Sequence, residues 1–234
     1  MIRTTALLSI ALLTTAVLAG PKDDVLAAAK KLAEGENYTW VSAADAGGTP
    51  LAGGPTTGKI DKAGYVTVSL SRNSGIVFVF KGEKRVLRAP TGWTLPEEVT
   101  KEGSSHKQTT RVLALATKNF KTAADEAKDL VAKTKELRAE KDGMYAGEFT
   151  DAAAKELVIR LARFSLDVPE ARDAKATVSF WVKDGMLSKF QYFAYGKVTI
   201  RGQEREFDRL ITTTISEIGS TKVDVPEEAK KLLD

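Results

Sequence analysis

The residues that could do chemistry are few, and each falls short of a working set. In GGPTTGKI, Gly53, Gly58 and Lys59 match the spacing of a phosphate-binding loop. That loop needs Ser or Thr after the lysine to reach magnesium, and it must open a helix. Here Ile60 follows, and KIDKAGYVTVSL alternates like a strand, so nucleotide binding is excluded and the segment is expected to be a surface loop. His106 is the single histidine and the chain has no cysteine, so the nitrogen and sulfur ligands of a zinc site cannot be assembled. The GSSHK around it lacks the strained glycine-flanked turn of a hydrolase serine, and neighbours in sequence do not orient an imidazole against a hydroxyl. His106 reads as a solvated loop residue. Asn37-Tyr38-Thr39 matches a glycosylation acceptor, which matters only in a host with that machinery. Glu97, Glu98 and Asp208 could meet as paired carboxylates, but nothing in the sequence selects a pair. No catalytic residue, metal site or cofactor is assigned, and a non-enzyme is expected.

The elements that would position any site begin after a leader. MIRTTALLSIALLTTAVLAG carries one positive charge at Arg3, an apolar run from Ala6 to Val17 and small-residue spacing at Val17 and Ala19. This is the layout of a secretory signal peptide cut after Ala19, and its apolar centre is short for a membrane span. The expected organisation is a signal peptide over residues 1–19 and a single exported domain over 20–234, periplasmic or secreted, with no stable membrane span after cleavage. Without cysteine there is neither a lipid-bearing cut site nor a disulfide, so packing must stabilise the domain. Losing Arg3 lowers the net charge from +4 to +3. Acids and bases are interspersed, and no block forms a nucleic-acid footprint.

KDDVLAAAKKLAE predicts a first helix with Val25, Ala28, Ala29 and Leu32 on one face, ended by Gly35. NYTWVSA, KIDKAGYVTVSL, GIVFVFKG and KRVLRA predict strands, separated by a glycine-rich loop and the turn SRNSG. PTGWTLPEEV is expected to break regular structure. From His106 to Arg138 the pattern is helical, with Ala127, Leu130, Val131, Thr134 and Leu137 on one face and KDG at 141–143 as a stop. Thr150 caps a further helix. Strands are predicted over 175–183, 187–201 and 205–218, with VPEEAKKLLD as a short helical tail. Sequential strands joined by short turns point to antiparallel pairing and an α+β fold.

Six of the seventeen aromatics fall between residues 179 and 200. Alternation puts Phe180 and Val182 on one face of the first strand and Trp181 on the other, while Phe190, Tyr192, Ala194 and Val198 share a face of the second. A strict two-residue turn at Asp184-Gly185 would set Phe180 against Lys189. A three-residue loop over 184–186 sets it against Phe190 and is the register that apolar burial favours. Trp181, Phe193 and Tyr195 on the reverse face are expected to be buried as well. Either they pack beneath the helical middle, or the sheet encloses an apolar ligand cavity roofed by helices. Periodicity does not separate these two.

The exported start, the helix before YTWVSA, the pair GKIDKAGYVTVSL and GIVFVFKGEKRVLR, the central helices and the ending TTTISEIGSTKVDVPEEAKKLL together resemble the periplasmic lipoprotein-carrier and lipoprotein-like superfamily. The resemblance covers most of the chain after the leader. It implies a curved, unclosed antiparallel sheet covered by helices, and non-catalytic binding or transport of a lipid, acyl-chain or other apolar ligand, with an envelope protein as a further partner. The alternative is a structural or protein-interaction module with a filled core. The family supplies no catalytic set. The positions it implies for the ligand are Phe78, Phe80, Phe180, Phe190, Tyr192, Phe207 and Ile211, with Ile215 on the same strand. Arg209 falls on the alternating face between Phe207 and Ile211. If turned inward it would need a carboxylate or a ligand headgroup; otherwise it is a strand-end arginine reaching water.

Overall fold

The computed structural model describes residues 20–234 apart from 36, 52–53, 71–75, 90–91, 102–109, 112–113, 115–116, 163–169 and 201. The leader, Gly53, SRNSG and His106 lie outside the described residues. Helix α1 (Pro21–Glu34) buries Val25, Ala28, Ala29 and Leu32, as its spacing requires, and Asp23 and Asp24 sit in its first turn, where the helix dipole favours them. Strands β1 (Tyr38–Ala46), β2 (Thr49–Pro50), β3 (Thr56–Ile60), β4 (Tyr65–Leu70), β5 (Val77–Lys81), β6 (Lys84–Ala89) and β7 (Gly92–Thr94) follow, and then a short helix α2 (Pro96–Thr100). Helix α3 (Ala123–Lys133) leads into the hairpin β8 (Thr134–Ala139) and β9 (Met144–Phe149). Helix α4 (Asp151–Ala162), the long strands β10 (Glu170–Lys183), β11 (Met186–Ile200) and β12 (Gln203–Ser216), and helix α5 (Glu227–Leu233) complete the chain.

The strands form one antiparallel sheet in the order β7-β6-β5-β4-β3-β1-β12-β11-β10-β9-β8, with β2 paired to β1. Its two ends, β7 and β8, do not pair with each other. The fold is therefore α+β, with a large open sheet flanked by helices. One apolar cluster joins α1, α3 and α4 to a single face of the sheet. A smaller cluster packs Val225, Ala229 and Leu233 from the C-terminal segment against Val79 and Val86. Those two positions alternate with Phe78, Phe80 and Leu87, so α5 covers the opposite face at the β5–β6 end. Among the described residues no helix is long and apolar enough to cross a membrane.

Several expectations are corrected. GGPTTGKI is not a surface loop, because Thr56–Ile60 is strand β3, paired on both sides to β1 and β4. PTGWTLPEEV is not irregular throughout, since Gly92–Thr94 adds an edge strand and Pro96 opens α2 at a position where proline's missing N–H costs nothing. The helical pattern does not run to Arg138. Helix α3 ends at Lys133, and Thr134, already in extended conformation, starts β8. A register shift between Thr134 and Glu136 lets Thr134 and Leu137, three apart, both be buried. This bulge reproduces helical spacing in a strand. KDG is then a hairpin turn rather than a stop, with Asp142 and Gly143 both at positive φ.

The aromatic hairpin holds the expected register by a different device. Phe180 lies opposite Phe190 and Val178 opposite Tyr192. The turn, however, is the two-residue Asp184-Gly185, both at positive φ, and a shift after Val182↔Leu187 restores the pairing. Ser188 is the extra residue, and its hydroxyl donates to the Trp181 carbonyl at 3.0 Å. The reverse face also departs from expectation. Phe193 and Tyr195 are not beneath the helices; they are 40% and 37% exposed, on the face opposite the buried Phe190, Tyr192 and Ala194.

Candidate functional site

The helix-covered face is built around a run of aromatic rings. Tyr38 and Trp40 are two residues apart on β1 and share that face, with ring centroids 5.6 Å apart. Gly58 on β3 lies directly opposite Trp40, and a β-carbon there would overlap the indole. Glycine at this position is what lets the ring lie flat across the next strand. Trp40 stacks on Phe120 at 6.4 Å, and Phe120 stacks on Phe80 of β5 at 4.2 Å with the planes 17° apart. Phe120 comes from the segment between a short 3-10 turn (Thr117–Asn119) and α3. The cap of α3 fixes that segment, with the Asp125 N–H donating to Thr122 Oγ1 and the Ala124 N–H donating to the Tyr38 hydroxyl at 3.4 Å.

Against this frame the positions expected from the sequence divide into three groups. Phe180 and Phe190 are fully buried, 6.3 Å apart, and α1 packs on their strands. Tyr192 is buried between α3 and α4, where its hydroxyl donates to Glu126 at 3.1 Å and accepts from Arg160 at 3.3 Å. Burial first, and the Glu126 carboxylate second, hold its phenol far above the ordinary range. Phe78 and Phe80 occupy the same face of β5 and are buried. On β12, Phe207 is buried while Arg209 and Ile211 are half-buried on that face. The Arg209 guanidinium lies 4.8 Å from the Phe207 ring, and its Nη1 donates to the Asp208 carbonyl.

Three clefts can be compared. One of about 560 Å³ lies against β8–β10 and is bounded by Lys135, Glu136, Arg138, Glu140 and Glu148. A second, more open, of about 710 Å³, lies at the end of the sheet beside Asn37, Asp61 and Thr221. The third, of about 530 Å³, opens on the helix-covered face itself, between β4–β6 and the segment leading into α3. Its lining includes Val66, Phe80 and Phe120, with Thr117, Lys118, Thr122 and Arg85 among the polar groups. Glu83 and Asp125 border it too, so a small apolar floor is ringed by polar and charged side chains of both signs. Arg85, Lys118 and Phe120 were not singled out from the sequence. Phe120 is a lone aromatic between two helical stretches, and Arg85 reads as an ordinary strand charge, so only the pairing Phe80↔Arg85 across β5–β6 brings them together.

The groups considered for catalysis are occupied separately. Glu97 pairs with Arg85 at 2.6 Å, Glu98 with Lys101 at 2.6 Å, and Asp208 accepts from the Gly47 N–H. Among the described residues no group of three or more His, Asp or Glu side chains is placed to hold a metal ion. Asn37 is buried, and its amide donates to the Thr221 carbonyl at 3.0 Å, so the glycosylation match lies inside the folded chain.

No family model matches the chain, and no curated protein sequence is similar to it. Among solved structures, two that align with this chain do so at low identity and low TM-score. Lipoprotein LppX of Mycobacterium tuberculosis aligns over 86% of this chain and 98% of its own, with 10% identity and a TM-score of 0.38. A LolA superfamily protein from Nitrosomonas europaea aligns over 86% of this chain and 96% of its own, with 12% identity and a TM-score of 0.29.

Proposed function

We propose that this chain is an exported, non-catalytic binding protein that holds or carries an apolar or amphipathic molecule on the helix-covered face of its sheet. The observation that carries the proposal is the cleft of about 530 Å³ floored by Val66, Phe80 and Phe120. An acyl chain laid on that floor gains about 0.8 kcal/mol for each methylene removed from water, so the site needs little charge complementarity to bind. In this reading Phe80 touches the ligand and Phe78 continues the same surface along β5. Phe207, Arg209 and Ile211 extend it on β12. Phe180, Phe190 and Tyr192 form the packed base that fixes the helices over it. Residues 1–19 act as the leader that exports the domain.

A second reading is favoured by one specific observation. Helix α4 sits so close to β11 that a β-carbon at Gly196 would lie 3.5 Å from Val158, and Phe180 and Phe190 are 0% exposed. That side of the molecule is a filled core, as an interaction module requires. Native mass spectrometry and organic extraction of gently purified protein separate the two readings, together with uptake of an environment-sensitive acyl probe. A co-purifying lipid, or probe uptake abolished by Phe80→Asp with the fold retained, supports the carrier. Absence of both supports the interaction module. Mass spectrometry of protein from its native compartment should also show a chain beginning near Gly20; recovery of only the intact chain would overturn the export step.

A further inference from the structure

We infer that Arg85 and Lys118 form a subsite for the anionic end, carboxylate or phosphate, of the amphiphile whose chain lies on Phe80 and Phe120. This inference rests on the binding role proposed above. The two cations reach the same cleft from different directions, Arg85 from β6 opposite Phe80 and Lys118 from the 3-10 turn ahead of α3. Arg85 is anchored rather than free to swing. Its Nη2 donates to Glu97 Oε1 at 2.6 Å, and its side chain is only 23% exposed. Glu97 engages that one nitrogen, and the Arg85 Nε–H is buried with no hydrogen-bond partner among the described residues. A guanidinium anchored through one nitrogen keeps a fixed orientation, and its remaining exposed N–H groups form a rigid fork for an incoming oxyanion.

Acids stand around the cleft as well, so an incoming anion must meet the two cations past Asp125, Glu83 and Glu97. Asp125 accepts from Thr122 Oγ1 at 2.8 Å and pairs with Lys128 at 3.1 Å, so it is turned to the cap of α3. Glu97 is committed to Arg85. Glu83 also borders the cleft, in the tight turn between β5 and β6. The Thr117 hydroxyl donates to the Ala114 carbonyl and the Thr122 hydroxyl to Asp125, which leaves Lys118 as the further donor beside the arginine. The aromatic floor and the cationic rim are adjacent, the order in which a chain and a charged headgroup follow one another.

The test compares three twelve-carbon probes of equal chain length, namely dodecanoate, dodecyl phosphate and the neutral monolaurin. Each displaces a neutral fluorescent acyl probe from the wild-type chain, Arg85→Gln and Lys118→Gln. Wild type is expected to bind the two anions about tenfold more tightly than monolaurin, the worth of one charge-assisted hydrogen bond. Each variant should reduce that preference to about twofold by weakening the two anions more than monolaurin, and added salt should narrow it in wild type. Should Arg85→Gln prove unfolded by circular dichroism, Lys118→Gln carries the comparison, because its side chain lies outside the core. Equal affinity for all three probes in wild type, or equal weakening of all three in the folded variants, overturns the subsite while the binding role stands. Failure of every probe to bind overturns both. Displacement by inorganic phosphate without displacement by monolaurin would make this an anion site with no chain attached, and would equally refute the inference.

Discussion

A single methyl group added at Gly58 tests the aromatic frame on which the cleft depends. In an exposed strand Gly→Ala is favourable by about 0.5–1 kcal/mol, because the unfolded chain loses freedom. Here the new β-carbon would occupy the space of the Trp40 indole. The backbone cannot retreat, since β3 is paired on both sides, so the ring must move. Overpacking of this kind costs about 1–3 kcal/mol, and displacing Trp40 from Tyr38 and Phe120 forfeits two ring contacts worth about 0.5–1.5 kcal/mol each. With the backbone gain subtracted, Gly58→Ala should destabilise by about 2–3 kcal/mol, or roughly 5–10 °C in Tm for a domain of this size. Urea and thermal melts by circular dichroism measure the loss, and tryptophan emission should shift red as Trp40 is expelled. The double variant Gly58→Ala/Trp40→Leu should lose less than the sum of the single changes. An unchanged or raised midpoint for Gly58→Ala would refute the packing described for β1 and β3.

Three further outcomes follow from the same geometry. Phe190→Asp should cost about 2–4 kcal/mol more than Gln191→Asp in denaturant melts, because Phe190 is fully buried and Gln191 faces the other side; equal losses would mean the register is wrong. Deleting Ser188 removes only the bulge and should leave the fold intact within about 1 kcal/mol, whereas deleting Gln191 flips the following strand and should abolish folding; equal damage from the two deletions would exclude the bulge. Burial alone would raise the Asp129 carboxyl, but Lys121 at 2.9 Å and Lys133 at 3.1 Å overcome it and hold it below its usual range. A depressed carboxyl contributes stability that is present above the ordinary carboxylate range and is lost as pH falls through its native pKa. The Tm difference between wild type and Asp129→Asn should therefore be largest near neutral pH and shrink toward pH 3, and a difference independent of pH would contradict the ion pairs.

Local pattern was sufficient wherever one face of an element is buried and the other is wet. Val25, Ala28, Ala29 and Leu32 announce α1 by spacing alone, and the alternation around Phe190 and Tyr192 determines which side of β11 faces inward. The antiparallel arrangement and the α+β class follow from short connections between such strands. Pattern misleads at bulges, because one extra residue changes the period it relies on. Lys135 gave a strand helical spacing, and Ser188 made a two-residue turn resemble a longer loop. Only the tertiary structure decided the rest. Alternation alone did not say whether the reverse face of β11 would also be covered, and in the folded chain Phe193 and Tyr195 there remain partly in solvent. The cleft is assembled from residues 66, 80, 85, 118 and 120, which meet because β5 and β6 pair and because the Thr122 cap brings Phe120 down onto Phe80. No periodicity encodes that meeting. A site composed of side chains from separate elements exists only once long-range pairing has fixed their distances.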